Sequence, residues 1–319
     1  MKAVTVVTPG GPESLVLTEV PAPVTGPGEV LIDVVAAGLN RADVQQRRGF
    51  YPPPPGASEY LGLEVSGRVA ETGNGFEKGQ QVVALLAGGG YAEQVAVPAG
   101  QVIPAPDGVD LVSAAGLPEV AATVYSNLFM TAQLQAGETV LIHGGAGGIG
   151  AMAIQMASAF GARVIATAGT AEKCERILAL GAEEAVNYRE QDFVQVAHRY
   201  RGAKVILDVM GASYLSRNVD ALALGGRLVV IGLQGGKTGE LDLAALMGKR
   251  ASVIGTTLRS RPVEEKAEIM AQVRQHVWPL ITAGKISPSI GRTFPLAEAA
   301  AAHQFFDSGV HQGKVLLTV

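Results

Sequence analysis

The chain has 319 residues, 48% apolar and 17% charged, a balance that supports a folded core large enough for one big domain or two and excludes a disordered chain. Its formal net charge of −4, with no Lys/Arg-rich run, leaves no electrostatic footprint for nucleic acid. A single cysteine, Cys174, excludes an intramolecular disulfide and a cysteine-based zinc cluster, and fits a reducing, cytoplasmic setting.

Residues 1–7 alternate and then meet Pro9-Gly10-Gly11-Pro12, which predicts a strand and a turn, too short for the core of a signal peptide. No run approaches the roughly 18 apolar residues of a membrane span, so no membrane partner is expected. Short β-branched alternations at 29–36, 65–70, 81–86 and 91–97, each bounded by glycine or proline, predict a mostly β first part. Tyr51-Pro-Pro-Pro-Pro-Gly56 is a stiff extended loop. Residues 112–134 predict helix, broken at Pro118.

From Thr139 onward strand and helix alternate. Strands are predicted at 139–143, 163–167, 184–188, 205–209, 227–232 and 252–257, with helices at 150–160, 171–180, 193–200, 214–222 and 241–247. Six strands alternating with helices imply an α/β unit with a doubly wound parallel sheet. Residues 263–283 predict one long helix closed by Gly284, followed by a strand from 285, a helix at 296–306 and a last strand at 313–319. That tail lacks the period of the parallel sheet and is assigned to the first part. The expected domains are therefore 1–116 completed by 285–319, and 117–284 as an insertion.

The stretch Thr139-Val-Leu-Ile-His-Gly-Gly-Ala-Gly-Gly-Ile-Gly150 carries the chemistry most directly. Gly145, Gly147 and Gly150 fit G-x-G-x-x-G between a strand and a helix, a turn that brings backbone N–H groups and a helix N-terminus to a pyrophosphate. The cofactor's identity is read about 20 residues later, where an NAD site places an acid on the ribose 2′-hydroxyl. Here Ala166-Thr-Ala-Gly-Thr170 has none, and Glu172 falls in the next helix's first turn. With Lys173 nearby, the segment points to NADPH. Gly169 and Thr170 can add backbone and hydroxyl donors, although a solvated helix lysine at 173 is the plain alternative.

Other chemistries find no support. Histidines at 143, 198, 276, 303 and 311 are scattered without metal-ligand spacing, so no metal is expected. Cys174 reads as an inert small side chain. There is no G-x-S-x-G elbow.

A family resemblance rests on Ala37-Gly-Leu-Asn-Arg-Ala-Asp43, the segment from Gln46 through the proline loop to Ala57, Leu61-Gly-Leu-Glu-Val-Ser-Gly67, Pro118-Glu119, the glycine turn, Val186-Asn-Tyr188, Leu207-Asp208, Leu258-Arg-Ser-Arg261 and Gly313-Lys-Val315. In ordered spacing over essentially the whole chain, these resemble the zinc-free medium-chain dehydrogenase/reductases of the quinone oxidoreductase branch. The resemblance implies a GroES-like, mostly β catalytic domain and a six-stranded Rossmann domain. Zinc enzymes of the superfamily carry Cys where this chain has Asn40, and His-Glu where it has Leu63-Glu64. Without that Lewis acid, hydride delivery to an electrophilic acceptor is the expected chemistry.

Carried over by position, the resemblance implies that Gly145, Ala146, Gly147, Gly148, Ile149 and Gly150 hold the pyrophosphate. Gly169, Thr170, Lys173 and Tyr188 would surround the 2′-phosphate. Asn40, Thr123, Gly232, Leu233, Leu258 and Lys314 would line the nicotinamide side, and Tyr51 and Asp43 would border the substrate cleft. Bacterial relatives often have a tyrosine two positions after the aspartate; this chain has Gln45 there. Catalytic roles fall on Asn40, Tyr51 and Asp43. Asn40 would donate a hydrogen bond to the ribose or to a developing oxyanion, or else cap the local backbone. Tyr51 would stack on the acceptor or relay a proton, or else pack the proline loop. Asp43 would hold Arg41 or Arg47 or cap a helix.

Three functions stay open: NADPH:quinone reduction, NADPH-dependent reduction of enal or enone double bonds, and low-turnover NADPH binding in a structural or regulatory role. The expected partner is a small electrophilic acceptor such as a quinone. The apolar last strand of the parallel sheet, at 252–257, would be an edge, and it suggests a homodimer.

Overall fold

The computed structural model describes all 319 residues. They form two compact units, Met1–Ala122 with Leu258–Val319, and Thr123–Thr257.

The second unit is a six-stranded, all-parallel sheet. Its spatial order is Glu184–Asn187, Arg163–Ala168, Thr139–Ile142, Ala203–Asp208, Leu222–Val230 and Ser252–Gly255. Numbered along the chain this is 3-2-1-4-5-6, the doubly wound order with its switch point beside the first strand. Helices cover both faces of the central strands, so these read as unbroken apolar runs: Val140, Leu141, Ile142, Val205, Ile206, Leu207, Leu228 and Val229 are all buried. The last strand differs. Ser252–Gly255 is mostly exposed because it has a neighbour on one side only.

The first unit holds a largely antiparallel seven-stranded sheet. Ile290–Pro295, Lys314–Thr318, Glu29–Leu39, Glu64–Val69, Gln81–Leu85 and Val102–Pro104 lie side by side, and Gln94–Pro98 pairs with Glu29–Leu39. The C-terminal strand Lys314–Thr318 thus sits directly against Glu29–Leu39, with Val315 opposite Leu39. One apolar cluster joins Ile32, Val65 and Val82 to Phe294, Phe306 and Leu317, so the two ends of the chain share a core.

The domain limits differ from the sequence expectation at both joints. Residues 258–284 belong to the first unit. The predicted single helix at 263–283 is two, Val263–His276 and Trp278–Thr282, because Pro279 has no N–H to continue the ladder. Trp278 Nε1 donates to Pro104 O at 2.8 Å, and a methyl on Gly100 would lie 2.6 Å from Ala267 Cβ, which shows how closely these helices sit on the β sheet's last strands. The other joint lies inside the helix Pro118–Tyr125 rather than before it. Pro118 opens that helix, a position where its missing N–H costs nothing, and the predicted segment continues as a π-type turn over Ser126–Thr131. No helix is long and apolar enough to cross a membrane.

Candidate functional site

The glycine turn follows the strand Thr139–Ile142 and enters the helix Gly148–Ala159. Its one left-handed residue is Gly144, at φ +70°. The other glycines serve different needs. A methyl on Gly145 would come within 2.8 Å of Ile177 Cδ1, and one on Gly150 within 2.6 Å of Gly145 Cα. Gly147, the helix N-cap, is different: a methyl there would meet only Gly144 O, at 3.5 Å. The protein leaves that side open, as a cradle for a pyrophosphate requires.

Sequence reasoning missed what holds this turn. Thr167 accepts the Gly144 N–H through Oγ1 at 3.3 Å and the Gly145 N–H through its carbonyl at 2.9 Å. His143 is buried, with Nε2 2.7 Å from Asn218 Oδ1 and Nδ1 3.2 Å from Thr167 Oγ1. Burial pushes its pKa down to about 4, so the ring is neutral and donates from Nε2 to the amide oxygen. The signal was the histidine itself, placed at the end of an apolar strand.

The ends of the next two strands lie side by side. Asn187 pairs with Ala168, and the Tyr188 N–H donates to Ala168 O at 3.0 Å. A methyl on Gly169 would collide with the Tyr188 hydroxyl. Thr170 caps the helix Ala171–Ala179 by accepting the Lys173 N–H. Gly169, Thr170 and Tyr188 therefore adjoin, with Lys173 in the first turn beside them and no acid on the strand ends. Cys174 is half-buried in this helix, and burial pushes its thiol up, away from the thiolate form. Thr123 is buried, a methyl on Gly232 would lie 2.8 Å from Val209 O, and Leu233 is exposed. These three belong to the second unit, whereas Asn40, Leu258 and Lys314 belong to the first.

In the first unit the residues around Asn40 form a buried charge cluster. Lys314 Nζ lies 2.5 Å from Glu64 Oε1, 2.7 Å from Asn40 Oδ1 and 3.0 Å from Leu39 O. Its three donors are all used. Lys314 thereby holds Asn40 and Glu64. Asn40 Nδ2 donates to Glu64 Oε1 at 3.0 Å and Gly38 O at 3.3 Å. With both amide hydrogens engaged Asn40 has no hydrogen left to donate, and it stands as the N-cap of the helix Arg41–Arg47, the second of the two roles expected of it. Glu64 Oε2 accepts the Glu119 N–H at 2.9 Å. Desolvation and the Glu64 charge raise the Glu119 carboxyl to about 8, so it is largely neutral at pH 7.

Asp43 is fully buried and takes the helix-capping alternative expected of it. Oδ1 accepts from Gly62 N–H at 2.9 Å; Oδ2 accepts from Asn40 N–H at 2.8 Å and from the Tyr91 hydroxyl at 3.4 Å. It caps the helix Arg41–Arg47 without touching either arginine. Arg47 instead reaches Asp307 at 2.7 Å and His303 Nδ1 at 3.0 Å, and His303 Nε2 faces the Tyr91 hydroxyl at 3.3 Å. Burial and Arg47 push His303 down to about 3.

Tyr51 is half-buried, with the Arg259 guanidinium 5.4 Å from its ring centroid. Arg259 also donates to Ala87 O at 2.8 Å, Tyr51 O at 3.3 Å and Gln46 Oε1 at 2.6 Å. Burial raises the Tyr51 pKa, so its phenol stays protonated and able to donate. Arg259, which sequence reasoning did not single out, fixes the proline loop; the Leu258-Arg-Ser-Arg261 match was its only signal.

The zinc-binding dehydrogenase family matches residues 148–274, and the alcohol dehydrogenase GroES-like domain family matches residues 26–107. Human quinone oxidoreductase is 34% identical over 312 residues, covering 95% of this chain and 93% of the relative. The chain belongs to the quinone oxidoreductase branch of the medium-chain dehydrogenase/reductase family. A 2-haloacrylate reductase from Burkholderia is 32% identical over 97% of this chain and 96% of its own. The quinone oxidoreductase of Thermus thermophilus, solved also as its complex with NADPH, superposes with a TM-score of 0.86 at 35% identity over the full length of both chains. The zinc named by one of these families does not suit the residues present. Leu63 offers only hydrocarbon, Asn40 Oδ1 and Glu64 Oε1 already face an ammonium, and Glu64 Oε2 accepts the Glu119 N–H.

The two inner glycines separate folding from binding. Gly150→Ala should destabilise the protein by about 1–3 kcal/mol through overpacking. Gly147→Ala should unfold within about 1 kcal/mol of the parent yet lose dinucleotide affinity. Thermal unfolding and a fluorescence titration with NADPH read the two effects; retained affinity in Gly147→Ala would remove the turn as the pyrophosphate site.

Proposed function

We propose that this oxidoreductase transfers reducing equivalents from NADPH to quinones without a metal. The observation that carries the reading is the Lys314–Glu64–Asn40 cluster: a fixed ammonium, not a metal-binding donor set, occupies the polar centre of the first unit. A fixed ammonium whose donors are spent cannot ionise an alcohol, which favours an acceptor that is already electrophilic. NADPH, when bound, supplies the hydride.

The chain's own residues position and protect. The open side of Gly147 and the N-terminus of its helix receive the pyrophosphate. Gly169, Thr170, Lys173 and Tyr188 receive the 2′-phosphate, where no carboxylate repels it. Asn40, held by Lys314 and Glu64, offers its remaining Oδ1 lone pair to a ribose hydroxyl or a carboxamide N–H. Tyr51, steadied by Arg259, presents a protonated phenol that can hydrogen-bond the acceptor oxygen as charge develops on it. The product anion of a quinone is delocalised, so this weak donor suffices and solvent completes the protonation.

Double-bond reduction is the second reading, supported by the relative named as a 2-haloacrylate reductase. Side-by-side NADPH oxidation with phenanthrenequinone and an alkenal, before and after dialysis against a chelator, separates them. The quinone should turn over faster and the chelator should change nothing. Faster alkenal turnover would favour the second reading, and no turnover with intact NADPH binding would favour a binding protein.

Lys173→Ala should weaken NADPH roughly ten- to a hundredfold, the loss of one charge-assisted contact, and NADH little. Equal loss for both dinucleotides in calorimetric titrations would remove the 2′-phosphate role.

A homodimer formed through the open edge of Ser252–Gly255 is part of the same reading. Val253 on that strand, and Leu243 and Met247 before it, are exposed apolar side chains. Sedimentation should give about twice 32.8 kDa, and a monomer at micromolar concentration would refute it.

A further inference from the structure

The first unit contains a cleft of about 720 Å³ whose walls include the end of the proline loop, the turn at 86–89 and the start of the helix Val263–His276. Two cations on that wall form no ion pair. Arg259 is 4% exposed, and its partners are two carbonyls, a neutral amide and the Tyr51 ring. Lys266 is likewise 4% exposed, and its ammonium makes one weak contact, to Arg259 O at 3.5 Å.

The acids nearby do not neutralise them. Arg261, also on the wall, pairs with Glu265 at 3.7 Å. Glu29, the one acid lining the cleft, is turned to the Gly26 N–H at 2.7 Å and forms no ion pair. Asp43, whose field Arg259 feels, spends its oxygens on Gly62, Asn40 and Tyr91. Glu119, whose field both cations feel, is held largely protonated at pH 7.

A third unsatisfied group lies on the same wall. Gln101 is 2% exposed; its Nε2 donates to Leu85 O at 2.7 Å, which fixes the amide's orientation, and its Oε1 has no partner. Buried unpaired ammonium and carbonyl groups are costly unless something fills the gap. Two desolvated cations and one orphan acceptor on one cleft describe a ligand with an anionic end and a hydrogen-bond donor.

We propose that this cleft binds the carboxylate arm of an acidic acceptor, with Lys266 and Arg259 on the carboxylate and Gln101 Oε1 accepting from a hydroxyl or amide N–H of the same molecule. The inference rests on the quinone-reductase reading only for the choice of acceptor; the anion site stands on the three side chains. The Tyr51 ring, stacked on Arg259, links the site to the residue proposed to touch the acceptor oxygen.

Dihydroxyphenylpropanoate, the reduced form of a benzoquinone with a propanoate arm, probes binding without turnover. Titrated calorimetrically into the NADP-loaded protein, the acid should bind at least tenfold more tightly than its methyl ester. Lys266→Met should abolish that preference and Lys266→Arg should restore most of it. In turnover, kcat/KM for the quinone acid relative to its ester should fall in Lys266→Met by a similar factor. Equal binding of acid and ester by the unmodified protein would overturn the proposal without recourse to any variant, as would a preference that survives in folded Lys266→Met. Preferential binding of the acid with no oxidation of NADPH by either quinone would support the anion site while removing the quinone reading.

Discussion

The ion pair between Lys314 and Glu64 is the constraint on which the catalytic unit depends. Both partners are almost wholly buried, so neither charge is tolerable without the other. Lys314 opens the last strand, and Glu64 opens a strand two places away in the sheet, with Asn40 at the end of the strand between them. The pair therefore joins the chain's C-terminal segment to its N-terminal third through one carboxylate. The close approach also explains Gly38, where any side chain would collide with the Glu64 carboxyl. Asn40 is oriented from both sides, by Lys314 on its oxygen and by Glu64 on its nitrogen.

The second unit meets a different problem, the support of an uncharged glycine turn proposed to face a charged ligand. It does so with backbone and with supports from neighbouring strands. Thr167, on the second strand, uses both its carbonyl and its hydroxyl to hold Gly144 and Gly145. The parallel register that sets Asn187 beside Ala168 also sets Tyr188 against Gly169. A side chain exposed at one strand end thus finds its place from hydrogen bonds made along the whole strand.

What could be read in the sequence follows from the range of the interactions. The six-strand alternation and the glycine turn are local patterns, and they appear in the sheet order and in the helix that begins at Gly148. The split of the 263–283 helix was also local, written in Pro279, but the apolar period concealed it. Its membership of the first unit was not legible, because it rests on Trp278 reaching Pro104 across a long sequence separation. The same holds for the site. Asn40 and Lys314 were singled out by resemblance, but their mutual bond joins residues 274 positions apart, and Glu64, which engages the Asn40 amide hydrogen, lies 24 positions away. The partners of Arg259 and His303 were hidden for the same reason.

The buried chain from Arg47 to Asp43 has a direction. A guanidinium can only donate, so His303 Nδ1 must accept, its proton sits on Nε2 facing the Tyr91 oxygen, and the tyrosine hydrogen points to Asp43. Every link passes its hydrogen the same way and none is left over. A string of this kind cannot conduct: moving one proton inward would require Arg47 to release its own, and the neutral His303 resists taking a second. The interior of the catalytic unit is thereby wired but insulated. On the proposed reading, the proton the reaction consumes arrives from solvent by way of the half-buried Tyr51 rather than through this chain.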